Sequence, residues 1–272
     1  NVSNALPNLV RAHGLVAPQL TQGSIAVEQQ LVARTTVAVE YQHLSGKNLL
    51  RSRNSNAPVD GVRPLDAFLA IQQIESTASM TSDSLAVTLR GSAGKYLTGM
   101  AQYMHARSCD NSPGPFSFPA SSFSPDLDWG RSEYDQRRRF NSAAMLDLTR
   151  GYRVGTFLSI ASGRPYNITT GRDDNDDTIV NDRPAGILRN SGNGPGYVQL
   201  DLRFTKLFRA PRFLDRTRKS TSRNVEISID AFNLFNRVNY SGFVGVMTSP
   251  FFGAPNAALT PRTIQFSIRY KL

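Results

Sequence analysis

The sequence predicts an all-β fold, an antiparallel transmembrane β-barrel with roughly 10–12 strands present. Apolar and polar residues alternate with period two in one segment after another, and no helical periodicity is sustained. Very short turns alternate with long loops rich in Gly, Pro, Ser, Asn and Asp, an asymmetry typical of outer-membrane barrels. The polar positions carry Glu, Gln, Asp and Arg, which suit a water-filled lumen.

The alternating segments pair naturally around short turns. SIAVEQQLVAR and VAVEYQHL form the first predicted hairpin, around RTT. The later segments are SLAVTLRG and KYLTGMAQYMHA, RFNSAAMLDL and YRVGTFLSIASG, then YVQLDLRF, VEISIDAF and TIQFSIRYKL. The expected short turns are 34–36, 91–94 and 149–152, and the expected long loops are 46–64, 108–132, 171–196 and 240–261. Residues 66–76 and 165–170 are ambiguous strands.

The amino-acid composition limits the classes of molecule that the protein is expected to bind. The net charge of +10 is carried by 26 Arg and only 5 Lys, which are spread along the chain rather than clustered. This spread argues against nucleic acid and favours contact with anionic outer-membrane lipid. No run approaches the ~18 apolar residues of a membrane-spanning helix. Cys109 is alone, and His13, His43 and His105 are isolated, so no zinc spacing is present.

The segment RDDNDDTIVND carries the one metal-binding pattern. Asp173, Asn175 and Asp177 have the D-x-N-x-D spacing by which alternate oxygens of a tight loop converge on Ca²⁺, and Asp182 adds a further carboxylate. Thr178 stands where a turn-making Gly is usual, and no Glu closes the loop. Two interpretations stay open, a structural Ca²⁺ site and a solvated acidic surface loop. No other cofactor is predicted.

Catalytic patterns are weak, so we do not expect an enzyme. The segment SGR at 162–164 lacks the G-x-S-x-G elbow of serine hydrolases. Asp126 and Asp128 form a carboxylate pair, but it more plausibly ends a loop and places Trp129 near the membrane interface. Arg137 to Arg139 would bind phosphate or anchor a strand end at that interface.

Six segments together carry a family resemblance. They are TTVAVEYQHLSGKNLLRSRNSNAP, WGRSEYDQRRRFNSAAML, GRDDNDDTIVNDRPAG, GPGYVQLDLRFTKLF, VEISIDAFNLFNRVNY and FSIRYKL. From about residue 20 onward the chain resembles the C-terminal half of TonB-dependent outer-membrane receptors. The greatest likeness is to the Oar-like group, which has a carboxypeptidase-regulatory-like N-terminal domain. The resemblance implies that residues 1–272 are the C-terminal portion of a 22-stranded barrel domain, without its plug domain.

The resemblance also assigns roles near the end of the chain. Phe232, Phe235 and Tyr240 resemble the aromatic girdle at the membrane interface, which Trp129 would join. The last strand resembles the signal that outer-membrane proteins present to the barrel-insertion machinery. Its positions here are Gln265, Ser267, Tyr270 and Leu272, with Ser267 in place of the usual Gly and Leu272 in place of the commoner Phe.

The expected function is therefore that of a barrel part of a TonB-dependent transporter in the outer membrane of a Gram-negative bacterium. Such a transporter imports a substrate through energy-coupled plug movement, driven by a TonB-type complex that acts on the N-terminal part. Loops 108–132, 171–196 and 240–261 are the expected substrate-facing segments. Two alternatives remain, a stand-alone small outer-membrane barrel acting as pore or adhesin, and a soluble basic β-sandwich binding module.

Overall fold

The computed structural model describes residues 8–66, 69–209 and 224–271. These ranges form β1 (Asn8–Arg11), β2 (Gln19–Val32), β3 (Thr35–Asn54), β4 (Ile71–Ala93), β5 (Leu97–Asp110), β6 (Gly130–Arg131), β7 (Arg138–Asp147), β8 (Tyr152–Ala161), β9 (Pro165–Tyr166), β10 (Gly192–Asn193), β11 (Tyr197–Arg209), β12 (Asn224–Phe232), β13 (Tyr240–Phe243), β14 (Pro255–Ala258) and β15 (Thr263–Lys271). Two 3₁₀ turns cover Pro125–Asp128 and Thr149–Gly151. Within the same ranges, no helix has the length and apolar character needed to cross a membrane.

Nine long strands form one antiparallel meander in the order β2, β3, β4, β5, β7, β8, β11, β12 and β15. β1 joins it by parallel pairing with β4 and β6 by pairing with β5, which makes an 11-stranded sheet. The predicted all-β antiparallel fold is thus confirmed, and the strand number falls in the predicted range. Among the described residues, β2 pairs only with β3 and β15 only with β12, so the sheet has two open edges.

The strand register separates an apolar face from a polar face. On one face Val39 lies beside Val87, which lies beside Tyr103, and the row continues into β7 and β8. On the opposite face Gln102 lies beside Asn141, and Asn141 beside Ser159. Side chains of the apolar row stay exposed, Tyr103 at 45% and Val87 at 38%, because no protein layer covers them in the described structure. The apolar face therefore meets lipid, and the polar face forms the lumen wall.

This single-layer architecture rules out the soluble β-sandwich alternative. A sandwich packs a second sheet over the apolar face of the first. In the described ranges the only further sheets are two-stranded, β9 with β10 and β13 with β14. The buried apolar residues there number four, Ala57, Ile71, Ala78 and Ala161, which is far too few for a core between two sheets.

The three predicted short turns are confirmed and lie at one end of the sheet. They join β2 to β3 at residues 33–34, β4 to β5 at 94–96 and β7 to β8 at 148–151. Left-handed backbone closes them, with φ of 65° at Arg34, 61° at Gly94 and 62° at Arg150. Arg150 is followed by Gly151, at φ 78°, which adopts this conformation without steric cost.

The long connections lie at the opposite end, in the described residues of 55–66, 69–70, 111–137, 162–196 and 233–262. The prediction that a loop begins at residue 46 is wrong, because β3 continues to Asn54 and β4 begins at Ile71. β3 and β4 are 20 and 23 residues long, whereas about 9–11 residues span a membrane. The upper halves of these strands therefore rise above the membrane and support the loops.

Candidate functional site

Three of the long loops pack into one polar structure, which we call the loop cap (the described residues of 55–66, 69–70, 111–137 and 162–196). Its buried side chains are mostly polar or charged, although loops of this length usually expose such groups. Examples with at most 6% exposure are Asn56, Ser122, Asp128, Asp135, Asp177, Arg189 and Asn190. Because buried polar groups need partners, the cap depends on specific contacts between the loops.

Asn54, at the end of β3, bonds to all three loops. Its Oδ1 accepts from the backbone N–H groups of Asn56 at 3.0 Å and of Ile71 at 3.1 Å. Its Nδ2 donates to the carbonyl oxygen of Asp177 at 2.9 Å, and its backbone N–H donates to Ser122 Oγ at 3.1 Å. Asn54 is 2% exposed, so these bonds are shielded from water. Sequence reasoning missed this residue, whose only signal was its place among the resemblance segments.

Ion pairs join the second and third loops. Arg183 Nη1 lies 2.5 Å from Asp128 Oδ1, and both side chains are nearly buried. Arg189 pairs with Asp110 at the end of β5 and donates to the Asp110 carbonyl oxygen at 2.8 Å. Asn190 Nδ2 donates to the Arg131 carbonyl oxygen at 2.6 Å. Buried pairs of this kind fix one arrangement, since losing one partner leaves a buried charge.

The three consecutive arginines differ in their contacts and in the face of the sheet on which they lie. Arg137 Nε lies 3.3 Å from the buried Asp135 carboxylate, which also pairs with Arg131 Nε at 2.7 Å. Arg138 is exposed in β7, while Arg139 Nη2 donates to Gln136 Oε1 at 2.8 Å. The register places Arg138 and Arg139 on opposite faces of the sheet. Phosphate binding or interfacial anchoring by this segment stays a prediction.

Arg51 is an unusual buried cation beneath the cap. It is 1% exposed, and its Nε lies 3.8 Å from Glu75 Oε1, at the limit of an ion pair. None of its three guanidinium nitrogens has a hydrogen-bond partner among the described residues. Burial lowers the pKa of Arg51, and the charges of Glu75 and Asp128 oppose that shift.

The acidic segment predicted to bind Ca²⁺ lies in the third loop as one tight turn. Asp173 Oδ1 and Asn175 Oδ1 both accept from the Asp177 N–H, each at 3.0 Å. Asp177 and Asp182 are 2% and 7% exposed. Burial raises the pKa of the Asp177 carboxyl, and the charges of Asp173 and Asp182 add to the rise. The four predicted residues therefore come together, although most of their oxygens also accept hydrogen bonds.

The lumen wall carries a second polar arrangement on β11 and β12. Gln199 Nε2 donates to Asp201 Oδ1 at 2.8 Å, and Arg203 Nε lies 3.5 Å from Asp230 Oδ1. Asp201, Arg203 and Asp230 border a cavity of about 580 Å³ whose other lining includes Met100 and Phe157. A smaller cavity of about 290 Å³ near the loop end is lined by Arg139, Asn141, Tyr197 and Tyr240.

The residues considered for catalysis have structural partners. Ser162 Oγ accepts from the Arg138 backbone N–H at 3.2 Å. Gly163 has no room for a side chain, because an added Cβ would lie 1.8 Å from the Gly194 carbonyl oxygen. Asp126 is exposed, whereas Asp128 is held by its ion pair with Arg183. These contacts explain the residues as parts of the cap.

The proposed girdle residues are exposed but differ in position. Trp129 is 40%, Phe235 70% and Tyr240 42% exposed, and Tyr240 packs edge-on against Phe243 at 6.4 Å between ring centroids. Their girdle role stays a prediction. Phe232 departs from the expected lipid-facing position, because it borders the lumen cavity and alternates with the outward-facing Ala231.

The proposed assembly signal lies on the edge strand β15. Gln265 is paired with Asp230 and Ser267 with Ser228, so both side chains are on the lumen face. Tyr270 is paired with Val225 on the outward face and is 49% exposed. Leu272 lies outside the described residues. Recognition of this strand by the insertion machinery stays a prediction.

Comparisons with known proteins agree with this architecture. A family model described as "Outer membrane beta barrel domain" matches residues 3–188. The outer membrane transporter YddB from Escherichia coli has a TM-score of 0.67 and 11% identity, over 96% of this chain and 34% of the transporter. FpvA of P. aeruginosa, solved with bound pyoverdines, has a TM-score of 0.55 and 10% identity, over 93% of this chain and 27% of FpvA. The ferric-catecholate import receptor Fiu from E. coli K12 has a TM-score of 0.52 and 11% identity, over 92% of this chain and 27% of Fiu.

No curated protein matches the chain significantly. At identities near 11% the solved structures show a shared fold, and this chain spans about a third of YddB. The family model covers well over half of the chain, and the apolar outer face, polar lumen face and one-sided loops are those of its fold. The chain belongs to the outer membrane beta barrel domain family and resides in the Gram-negative outer membrane, with a barrel fold resembling part of TonB-dependent transporter barrels.

Proposed function

We propose that the chain is the barrel part of a TonB-dependent transporter that imports a substrate by energy-coupled plug movement. The observation that carries the proposal is the match of 96% of the chain to one third of an outer membrane transporter despite 11% identity. In this proposal residues 1–272 are the C-terminal portion of the barrel domain. The plug and the segment that contacts the TonB-type complex belong to the N-terminal part of the same protein.

In this proposal the loops and the polar face of the wall contact the substrate one after the other. The substrate first meets the loop cap and the loop at 233–262, which rise above the membrane. It then passes along the polar face, where Asp201, Arg203 and Asp230 offer alternating charges beside apolar Met100 and Phe157. The barrel performs no bond chemistry, because its contribution is a shaped and hydrated path.

The open edges of the sheet supply a second argument. Unpaired N–H and C=O groups in lipid cost several kcal/mol each, so β2 and β15 need partner strands in the membrane. Further strands of a 22-stranded barrel would supply them in a transporter. Direct pairing of β2 with β15 would instead close a small barrel, which is the alternative pore or adhesin. In both cases β15, with Gln265, Ser267 and Tyr270, is the strand that we expect the insertion machinery to recognise.

The decisive experiment is the intact mass of the native polypeptide from an outer-membrane fraction. A transporter should be about three times as long as this chain, as YddB is, with this sequence toward its C-terminal end. A product near 29.9 kDa whose gel mobility shifts on boiling would mean a small closed barrel. That result would overturn the energy-coupled transport proposal and leave the barrel fold intact.

A further inference from the structure

The acidic loop Asp173–Asp182 contains two buried acceptor atoms that lack donors. Asp177 Oδ2 and Asn181 Oδ1 are buried and have no hydrogen-bond partner among the described residues. The other buried unpartnered side-chain atoms there are Arg nitrogens and a Ser hydroxyl, all able to donate. An unsatisfied buried acceptor is unfavourable, and a cation satisfies acceptors without requiring donors.

Local hydrogen bonds hold the neighbouring oxygens in place. Asp173 Oδ1 and Asn175 Oδ1 meet at the Asp177 N–H, and Asp177 Oδ1 accepts from the Ile179 N–H at 2.8 Å. Asp182 Oδ1 accepts from Asn175 Nδ2 at 3.0 Å, so the Asn175 amide nitrogen faces Asp182. The Asn175 oxygen, at the other end of the same amide, is thereby directed to the Asp177 N–H.

The charge balance also favours a cation. Asp173, Asp177 and Asp182 repel one another, and the buried Asp177 is the least solvated of the three. Arg63 is the nearby cation, and its Nη2 donates at 2.5 Å to the backbone carbonyl oxygen of Asp176. This bond goes to a backbone oxygen, so Arg63 forms no ion pair with any of the three carboxylates.

We propose that the side-chain oxygens of Asp173, Asn175, Asp177 and Asn181 bind one Ca²⁺ ion. Counted from Asp173, they occupy positions 1, 3, 5 and 9, which are ligand positions of tight Ca²⁺ loops. Asp182 is a positioning residue that orients Asn175. The sequence pattern did not identify Asn181. We include it among the ligands because its Oδ1 is buried without a hydrogen-bond partner.

These oxygen ligands favour a hard cation that accepts irregular coordination geometry. The set mixes carboxylate and amide oxygens and contains no His or Cys, which disfavours Zn²⁺ and Cu²⁺. In the described ranges, no group of three or more Asp, Glu, His and Cys side chains is arranged to hold a metal ion, so carboxylates alone would not form this site. Pro184 stands at the closing position normally held by a bidentate Glu, so the site lacks that ligand and its charge. We therefore expect weak binding, with a dissociation constant for Ca²⁺ of about 10⁻⁴–10⁻³ M.

Ion binding would also order the loop cap. The same acidic loop donates from Asn175 Nδ2 to the Ala120 carbonyl oxygen at 2.8 Å and from Asn181 Nδ2 to the Phe118 carbonyl oxygen at 3.1 Å. The side chains that touch the second loop are thus those that would hold the ion. The proposal does not depend on the transport proposal, since an ordered cap suits a pore or an adhesin equally.

The test is calorimetric titration of the purified, detergent-solubilised native protein with Ca²⁺, and with Mg²⁺ as the competing ion. We expect one Ca²⁺ per chain, with Asp177→Asn weakening binding at least tenfold. The matched control is Asp176→Asn, an exposed residue of the same loop, which should bind like the parent. Hydrogen exchange of the strands establishes that each variant is folded, and Asn181→Ala supplies a second variant without a charge change.

Several outcomes would overturn the proposal. One is absence of heat up to about 10 mM Ca²⁺, which would mean that ordered water serves the two acceptor oxygens. Another is binding that survives both Asp177→Asn and Asn181→Ala, which would place the ion elsewhere. Equal affinity for Mg²⁺ would contradict the flexible, mixed ligand set. None of these results bears on the mass of the native polypeptide, so the transport proposal is tested separately.

Discussion

The loop cap should loosen when Asn54 is replaced by alanine. The substitution removes the acceptor of two backbone N–H groups, those of Asn56 and Ile71, and the donor to the Asp177 carbonyl oxygen. The backbone bond from residue 54 to Ser122 does not use the side chain and should survive. The change therefore isolates the contribution of one amide group to the contact between loops.

The expected loss of local opening free energy follows from the three groups that lose their hydrogen bond to the Asn54 side chain. Each buried group left without a partner costs about 1–3 kcal/mol, and Asn54 is 2% exposed, so water reaches these groups only after the cap opens. Partial relaxation of the loops will reduce the total, and we expect about 3–5 kcal/mol in the local opening free energy. Since about 1.4 kcal/mol corresponds to a factor of ten, backbone amides of residues 171–182 should exchange at least 100-fold faster.

Hydrogen exchange read by mass spectrometry on the folded, detergent-solubilised protein measures this change loop by loop. Asn256→Ala is the matched control, because Asn256 is exposed in the loop 233–262 and should leave exchange unchanged. Faster exchange confined to residues 55–70 would refute the role of the Asn54–Asp177 bond. Unchanged exchange in every loop would refute the interlocked cap altogether.

Three further predictions concern the loops and the wall. Gly163→Ala should cost about 1–3 kcal/mol through overpacking and reduce the yield of folded barrel, whereas Gly23→Ala, which has open space, should fold normally. Leu89→Arg on the outward face should cost about 2–4 kcal/mol of unfolding free energy in lipid, whereas Gln102→Arg on the lumen face should be tolerated, as denaturant titration in vesicles would show. Thr178→Gly should relieve left-handed strain at φ 73° and slow exchange of the acidic loop by roughly tenfold, whereas faster exchange would contradict strain there.

The strands of the barrel wall were predictable from the sequence because apolar and polar residues alternate along them. In VEISIDAF the alternating Val225, Ile227 and Ile229 repeat the lipid-facing pattern, and the structure places all three on the outward face. Short turns were also predictable, since Gly94 and Gly151 adopt left-handed backbone without steric cost. Errors arose where periodicity faded, as in β3, whose SGKNLLRSRN half is polar and irregular yet remains a strand.

The loop cap was predictable only in part, because it rests on single polar contacts between segments distant in the chain. Asn54 and Asp177 are separated by 123 positions, and no local pattern connects an amide with a remote carbonyl oxygen. The acidic segment was visible because its spacing is local, within ten residues. Asn181 was not visible, since its burial depends on the second loop folding over it. Phe232 was misplaced because aromatic composition alone does not fix the face of a strand end.

The distribution of buried groups shows that the wall and the loop cap are stabilised in different ways. The wall needs no apolar core, since lipid takes that role, and its strands are held by backbone ladders. The cap has almost no apolar core either, yet it lies in water and must be held by directional bonds such as Arg183 with Asp128. A substrate or ion that carries charge can replace one partner of a hydrogen bond or ion pair. It cannot replace an apolar packing contact in this way. The loop cap is therefore held by contacts that a charged ligand could compete for, whereas the wall is held by backbone hydrogen bonds that it could not.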